Sequence, residues 1–121
     1  MLPTKWAFGL ILAVISFNLS AQGLDTERAV EEWFSDGSAD EAVCRRVSSI
    51  SKGAIPNDTC IGRLAEKNAE CLELIRRYFG EQIETPEEGR AFAQALGFCP
   101  AALLLGHEAY LTEAGIRYRQ K

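Results

Sequence analysis

Residues 59–79, TCIGRLAEKNAECLELIRRYF, decide the fold. Ile61, Leu64, Asn68, Cys71, Leu72, Ile75 and Phe79 recur at three- and four-residue steps. That is the spacing of an amphipathic helix with one buried stripe. Arg63, Glu66, Lys67, Glu70, Glu73, Arg76 and Arg77 occupy the other sides and suit solvent. Gly80 follows as a stop, and Asn57 or Asp58 precedes as a cap. The stretch therefore predicts the longest helix of the chain. Asn68 interrupts the apolar stripe and is expected to fix helix register through a buried hydrogen bond.

Two of the four cysteines, Cys60 and Cys71, lie on this helix; the others are Cys44 and Cys99. An even number in a small exported domain predicts two disulfides. A zinc site is the rival reading, but no close Cys-x-x-Cys pair is present. On one helix Cys60 and Cys71 are roughly 16 Å apart. A disulfide requires about 7 Å or less between Cα atoms, which excludes Cys60–Cys71. Eleven residues is close to three whole turns, so both thiols face one side, each toward a different neighbour. Two pairings remain: Cys44–Cys71 with Cys60–Cys99, or Cys44–Cys60 with Cys71–Cys99. If neighbouring helices are antiparallel, Cys44 lies about 12 Å from its helix end and Cys60 almost at the next helix start. That comparison favours the first pairing.

Outward from this helix, the remaining punctuation predicts four more. The first runs from Asp25 to Asp36 and stops at Gly37. The second runs from Ser38 to Lys52 and stops at Gly53, opened by a Ser38/Glu41 capping box. The fourth follows the Thr85-Pro86-Glu87-Glu88 capping box and runs to Leu96, with Ala91, Ala93 and Ala95 permitting a close neighbour. Gly97-Phe98-Cys99-Pro100 reads as a tight corner. The fifth runs from Pro100 to Ala114, with Ala101 to Leu105 apolar all round and so the most buried element. Strand-like alternation is confined to Ile116-Arg117-Tyr118-Arg119. The expected fold class is all-α, a bundle of four or five helices stapled by two disulfides.

The chain has 121 residues, 47% hydrophobic, and a net charge of −4. This suffices for one domain and excludes a separate cofactor domain. Residues 1–21 read as a signal peptide, with cleavage at 21/22 or 23/24, leaving 24–121 as a single helical domain. Lys5 supplies the positive start, Trp6 to Phe17 the apolar run, and Ser20, Ala21 and Gly23 the small residues. The run falls short of the roughly 20 residues that span a bilayer, which counts against the rival reading of an uncleaved anchor. Loss of Lys5 with no carboxylate moves the net charge from −4 to about −5. A basic nucleic-acid footprint is absent.

Several residues invite a chemical reading. His107 is the only histidine; with Glu108 it could form a general base, but neighbours on a helix point about 100° apart. The pairs Glu31-Glu32, Asp40-Glu41 and Glu87-Glu88 sit mostly in first turns and read as helix-dipole partners, not glycosidase carboxylates. Asn57-Asp58-Thr59 matches a glycosylation acceptor in a loop, relevant only in a eukaryotic secretory pathway. No phosphate loop, Ca²⁺ loop or catalytic triad signature occurs, and no metal or other cofactor is expected. Trp33 and Phe34 are adjacent aromatics beside Glu31 and Glu32, a set suited to docking a basic protein partner. Closing the core is the alternative for these two aromatics. The tail at Ile116 to Arg119 offers a second contact surface, against the alternative of a frayed end.

The expected function is that of a small, exported, non-enzymatic protein-binding protein, inhibitor-, immunity- or chaperone-like, in a periplasm. Its expected partner is a protein, with no nucleic acid and no membrane after signal cleavage. The alternative is a carrier of a small apolar ligand, drawing on Leu103, Leu104, Leu105, Phe92, Phe98 and Phe79. A third reading is a small hydrolase using His107 and Glu108.

Overall fold

The computed structural model describes residues 24–121. The signal peptide and its cleavage sites lie outside the described residues. The elements in chain order are β1 (Leu24–Asp25), α1 (Thr26–Trp33), α2 (Ser38–Ile50), α3 (Asn57–Phe79), β2 (Gln82–Ile83), α4 (Pro86–Leu104), β3 (His107–Thr112) and β4 (Gly115–Gln120). β1 pairs with β2 and β3 with β4, both antiparallel. The fold is thus mostly helical but not purely all-α. No helix among the described residues is long and apolar enough to cross a membrane.

α3 is the 23-residue spine that its periodicity predicts. Leu64, Cys71 and Ile75 are buried along it, with Leu72 and Phe79 half-buried. The stripe begins at Cys60, not at Ile61, which remains 42% exposed. Pro56 stands at the N-cap without a side-chain cap, and its carbonyl accepts from the Cys60 N–H at 3.0 Å. Asn57 and Asp58 are therefore helical residues instead of caps, and the glycosylation-like triplet opens a helix, not a loop. Asn68 is half-buried and donates to Asp40 Oδ1 at 3.4 Å, linking α3 to α2.

The disulfides are Cys44–Cys60 and Cys71–Cys99, with Cα separations of 5.6 and 5.9 Å. This corrects the favoured pairing of Cys44 with Cys71 and Cys60 with Cys99. Both helix ends differ from their expected positions. α2 stops at Ile50 because Lys52 turns left-handed, with φ 55°. α3 begins at Asn57, so Cys60 sits three residues inside it. The offset along the two helices shrinks to roughly 4–5 Å at 1.5 Å per residue. Cys60–Cys71 remains excluded, since each binds a different helix. Each disulfide lies in its own apolar cluster. Val43, Val47, Leu64, Ala101 and Leu104 surround Cys44–Cys60. Val30, Ile75, Ile83, Phe92, Leu96 and Leu103 surround Cys71–Cys99.

α4 corrects the expected division into a fourth and a fifth helix. It is continuous for 19 residues with Pro100 inside. Proline lacks an N–H, so the carbonyl four residues earlier loses its helical donor. Burial offsets that loss: Cys99 and Pro100 are fully buried, and Ala101 to Leu104 are buried behind them. The helix then ends at Leu104, ten residues before Ala114, because Gly106 adopts a left-handed φ of 94°. The chain turns into the β3–β4 hairpin instead. Ala109, Ile116 and Tyr118 pack against the core cluster, whereas Arg117 and Arg119 are exposed. This is period-two alternation, of which sequence reading recognised only the second strand.

The caps divide similarly. The Thr85/Glu88 box forms, with Thr85 Oγ1 accepting from the Glu88 N–H at 3.1 Å and Glu88 accepting from the Thr85 N–H at 3.1 Å. The Ser38/Glu41 box does not. Asp36 instead accepts from the Ser38 N–H at 3.0 Å and its hydroxyl at 2.7 Å. Those hydrogen bonds hold the Asp36 carboxyl below the usual range.

α1 is fastened to α3 by a two-pronged pair, with Arg76 donating to Glu27 at 2.6 and 2.9 Å. The hydrogen bond from Arg76, aided by its charge, holds the Glu27 carboxyl below its ordinary range. A depressed carboxylate contributes stability that is present above its unfolded pKa and lost as pH falls through the folded value. The fastening of α1 therefore weakens on acidification below the ordinary carboxylate range, and Glu27→Gln removes that pH dependence. Hydrogen exchange of α1 amides between neutral and acid pH checks this.

Each disulfide closes a loop, with sequence separations of 16 and 28. The double variant Cys71→Ser/Cys99→Ser is expected to lose about 3 kcal/mol of unfolding free energy. Urea titration of the oxidised proteins provides the comparison.

Candidate functional site

An open groove of about 810 Å³ lies among the described residues. It is built from pieces of five elements and one turn. α4 forms one wall, since Ala91, Gln94, Ala95 and Phe98 recur at helical steps and all line it. Ala91 and Ala93 were expected to admit a close helix; both are exposed, and their small side chains leave the concavity open. Tyr78 and Phe79, at the end of α3, supply a second side. Ala114 and the first residues of β4, Gly115 to Tyr118, supply a third. Trp33, from the end of α1, and Arg46, from α2, complete the lining.

Aromatic rings dominate this surface. Phe98 is 51% exposed and Tyr78 38%, although both are large apolar bodies. Phe98 lies 5.0 Å from Tyr118, tilted, and Tyr78 meets Phe79 edge-on at 4.9 Å. Phe79 in turn meets the buried Phe92 edge-on at 5.4 Å, which ties the groove to the core. Two glycines lie beside the rings. A Cβ at Gly97 would sit 3.8 Å from the Trp33 ring, in ordinary contact. Gly115 has φ 133°, a conformation that side chains rarely adopt, and a Cβ there would lie 3.9 Å from the Tyr78 ring. Burial raises the Tyr118 phenol above its ordinary pKa.

The electrostatics of the groove oppose those of the whole chain. Net charge is −4, yet the charged residues lining the groove are Arg46 and Arg117, with no carboxylate among them. Among the described residues neither arginine takes part in an ion pair. Arg119, next along β4, is engaged by Glu108 and lies 4.5 Å over the Tyr110 ring.

The structure separates the residues singled out from sequence. Trp33 lines the groove and is half-buried. Phe34 is half-buried against the core cluster. Glu31 and Glu32 are exposed, and neither is in the groove lining. Glu32 instead approaches Arg28 at 3.8 Å. His107 and Glu108 are not brought together. They are successive strand residues, opposite Gln120 and Arg119 respectively, and so point to opposite faces. The His107 Nδ1 is buried and has no hydrogen-bond partner. The apolar set also divides: Phe92, Leu103 and Leu104 are buried in the core clusters, Leu105 packs at the edge of one, and only Phe79 and Phe98 line the groove. All four cysteines are in disulfides, and no group of three potential metal ligands occurs among the described residues.

Sequence reasoning missed Tyr78 and Arg46 as site residues, whereas Ile116, Arg117 and Tyr118 of the groove belong to the tail that it offered as a second contact surface. Tyr78 lies off the apolar stripe of α3, beside Phe79, and that displacement was the available signal. Comparison with protein-family models, curated proteins and solved structures finds no match for this chain.

The contrast between Phe98 and Phe92 separates a surface role from a packing role. Phe98→Ala is expected to cost about 1 kcal/mol or less, the scale of one aromatic pair. Phe92, 4% exposed, is expected to cost about 3–5 kcal/mol on truncation to alanine. Urea unfolding of both variants measures the difference.

Proposed function

We propose that this protein is an exported, non-enzymatic binder of another protein, and that the aromatic groove is its contact face. The observation that carries the reading is the exposure of Phe98 and Tyr78 beside Trp33 and Tyr118 around one open concavity. Rigid aromatic rings and arginine are the side chains most enriched where binding energy concentrates. On this reading Trp33 is a contact residue with Phe98, Tyr78 and Tyr118 as its companions, while Glu31 and Glu32 lie outside the groove lining. Export rests on the order of charged, apolar and small residues in 1–23, together with two disulfides of the kind that persist in oxidising compartments. A periplasmic inhibitor, immunity protein or chaperone has this size and build, an analogy that does not fix the role.

The groove volume also falls within the range of small-molecule sites, which keeps the carrier of an apolar ligand as the second reading. The hydrolase reading finds no support in the divergence of His107 from Glu108.

An affinity capture from the source organism's own extract distinguishes these readings, with oxidised wild-type and Phe98→Ala proteins as baits. The expected outcome is a protein partner retained by the wild type and lost, by about tenfold or more, from the variant. An equally retained partner contradicts the groove assignment, and a co-purifying small molecule without a protein favours the carrier.

A further inference from the structure

The groove borders a strand, β4, whose outer edge is unpaired among the described residues. β4 pairs with β3 along its full length. Residues of β4 and the hairpin turn line the groove, whereas no residue of β3 does. The groove therefore meets the hairpin at β4 and the turn, not at β3. In an antiparallel pair, alternate residues direct their N–H and C=O groups outward. Among the described residues no backbone hydrogen bond outside the hairpin engages β4. A row of free donors and acceptors thus borders an aromatic trough.

The side chains of β4 define what such an edge accepts. Ile116 and Tyr118 turn to the apolar side, and Arg117 and Arg119 to the exposed side. Arg119 is already paired with Glu108, but Arg117 has no carboxylate partner among the described residues. It sits opposite Tyr110 in the register. An incoming strand alternates in the same way. One of its faces meets Phe98, Tyr118 and the trough, and the other meets Arg117. A second copy of β4 would set arginine beside arginine, and like charges on adjacent strands are destabilising. The unpaired Arg46 adds positive charge along the groove lining.

Resting on the groove as the contact face, we propose that the partner supplies an extended segment of alternating apolar and acidic residues, added as a strand to the free edge of β4. This is recognition by strand addition: the backbone provides affinity and the alternating side chains provide selection. β4 spans six residues, which sets the length of the segment recognised at five or six residues.

The test uses the oxidised protein and a fluorescent ten-residue peptide alternating phenylalanine with glutamate, read by anisotropy. Three control peptides are used: one carries lysine in place of glutamate, and two carry N-methyl groups on alternate amides, one in each register. The acidic peptide is expected to bind, to weaken with added salt, and to exceed the lysine peptide by about tenfold or more. One N-methyl register is expected to abolish binding, and Arg117→Glu to reverse the charge preference. Binding of the acidic peptide that survives both N-methyl registers, or that is indifferent to Arg117→Glu, overturns the proposal. If Phe98→Ala still abolishes that binding, the groove stands as contact face and only strand addition falls. Failure of the acidic peptide to bind the wild type overturns the proposal. Retention of the natural partner by Phe98→Ala would then remove the groove reading as well.

Discussion

Two covalent bonds from one face of α3 hold the rest of the molecule in place. Cys60 and Cys71 lie eleven residues apart, close to three turns, and so point the same way along the spine. Cys60 reaches back to Cys44 on α2, and Cys71 reaches forward to Cys99 on α4. Each bond lies inside a separate apolar cluster. A described chain of this length buries a modest fraction of its surface, and constraint of the unfolded state supplies what burial alone does not.

The Cys71–Cys99 bond has a further consequence. It fixes α4 one residue before Pro100, where the helical ladder loses a donor. With Cys99 held and Ala101 to Leu104 buried, the helix continues through the proline instead of turning. Its exit at Gly106 then sends the chain into the hairpin that packs over α3 and α4. Ile116 and Tyr118 rest on the same cluster as Trp33 and Phe79. The groove walls therefore come from distant parts of the chain, but they share one foundation.

This arrangement explains what was and was not legible in the sequence. The periodicity of Leu64, Cys71 and Ile75 identified α3, and Thr85/Glu88 marked the start of α4, because both are local signals. Pro100 was misleading, since its tolerance depends on tertiary burial. The segment from His107 to Thr112 reads as helix because it continues an apolar helical stretch, and Gly106 is the punctuation that ends it. The disulfide pairing turned on helix ends displaced by about two residues, roughly 3 Å each at the helical rise. Trp33 was found because aromatic residues in pairs attract notice. Phe98, Tyr78 and Arg117 converge only through tertiary structure, so their spacing along the chain carried no common signal.

The pairing of the cysteines is the claim on which these relationships depend, and non-reducing peptide mapping reads it directly. Tryptic cleavage at Arg45, Lys52, Arg63, Lys67 and Arg90 places each cysteine on its own fragment. The account predicts that the fragment of Cys44 remains joined to that of Cys60, and that of Cys71 to that of Cys99. Fragments joining Cys44 to Cys71 and Cys60 to Cys99 would contradict it, and with it the shared foundation of the groove.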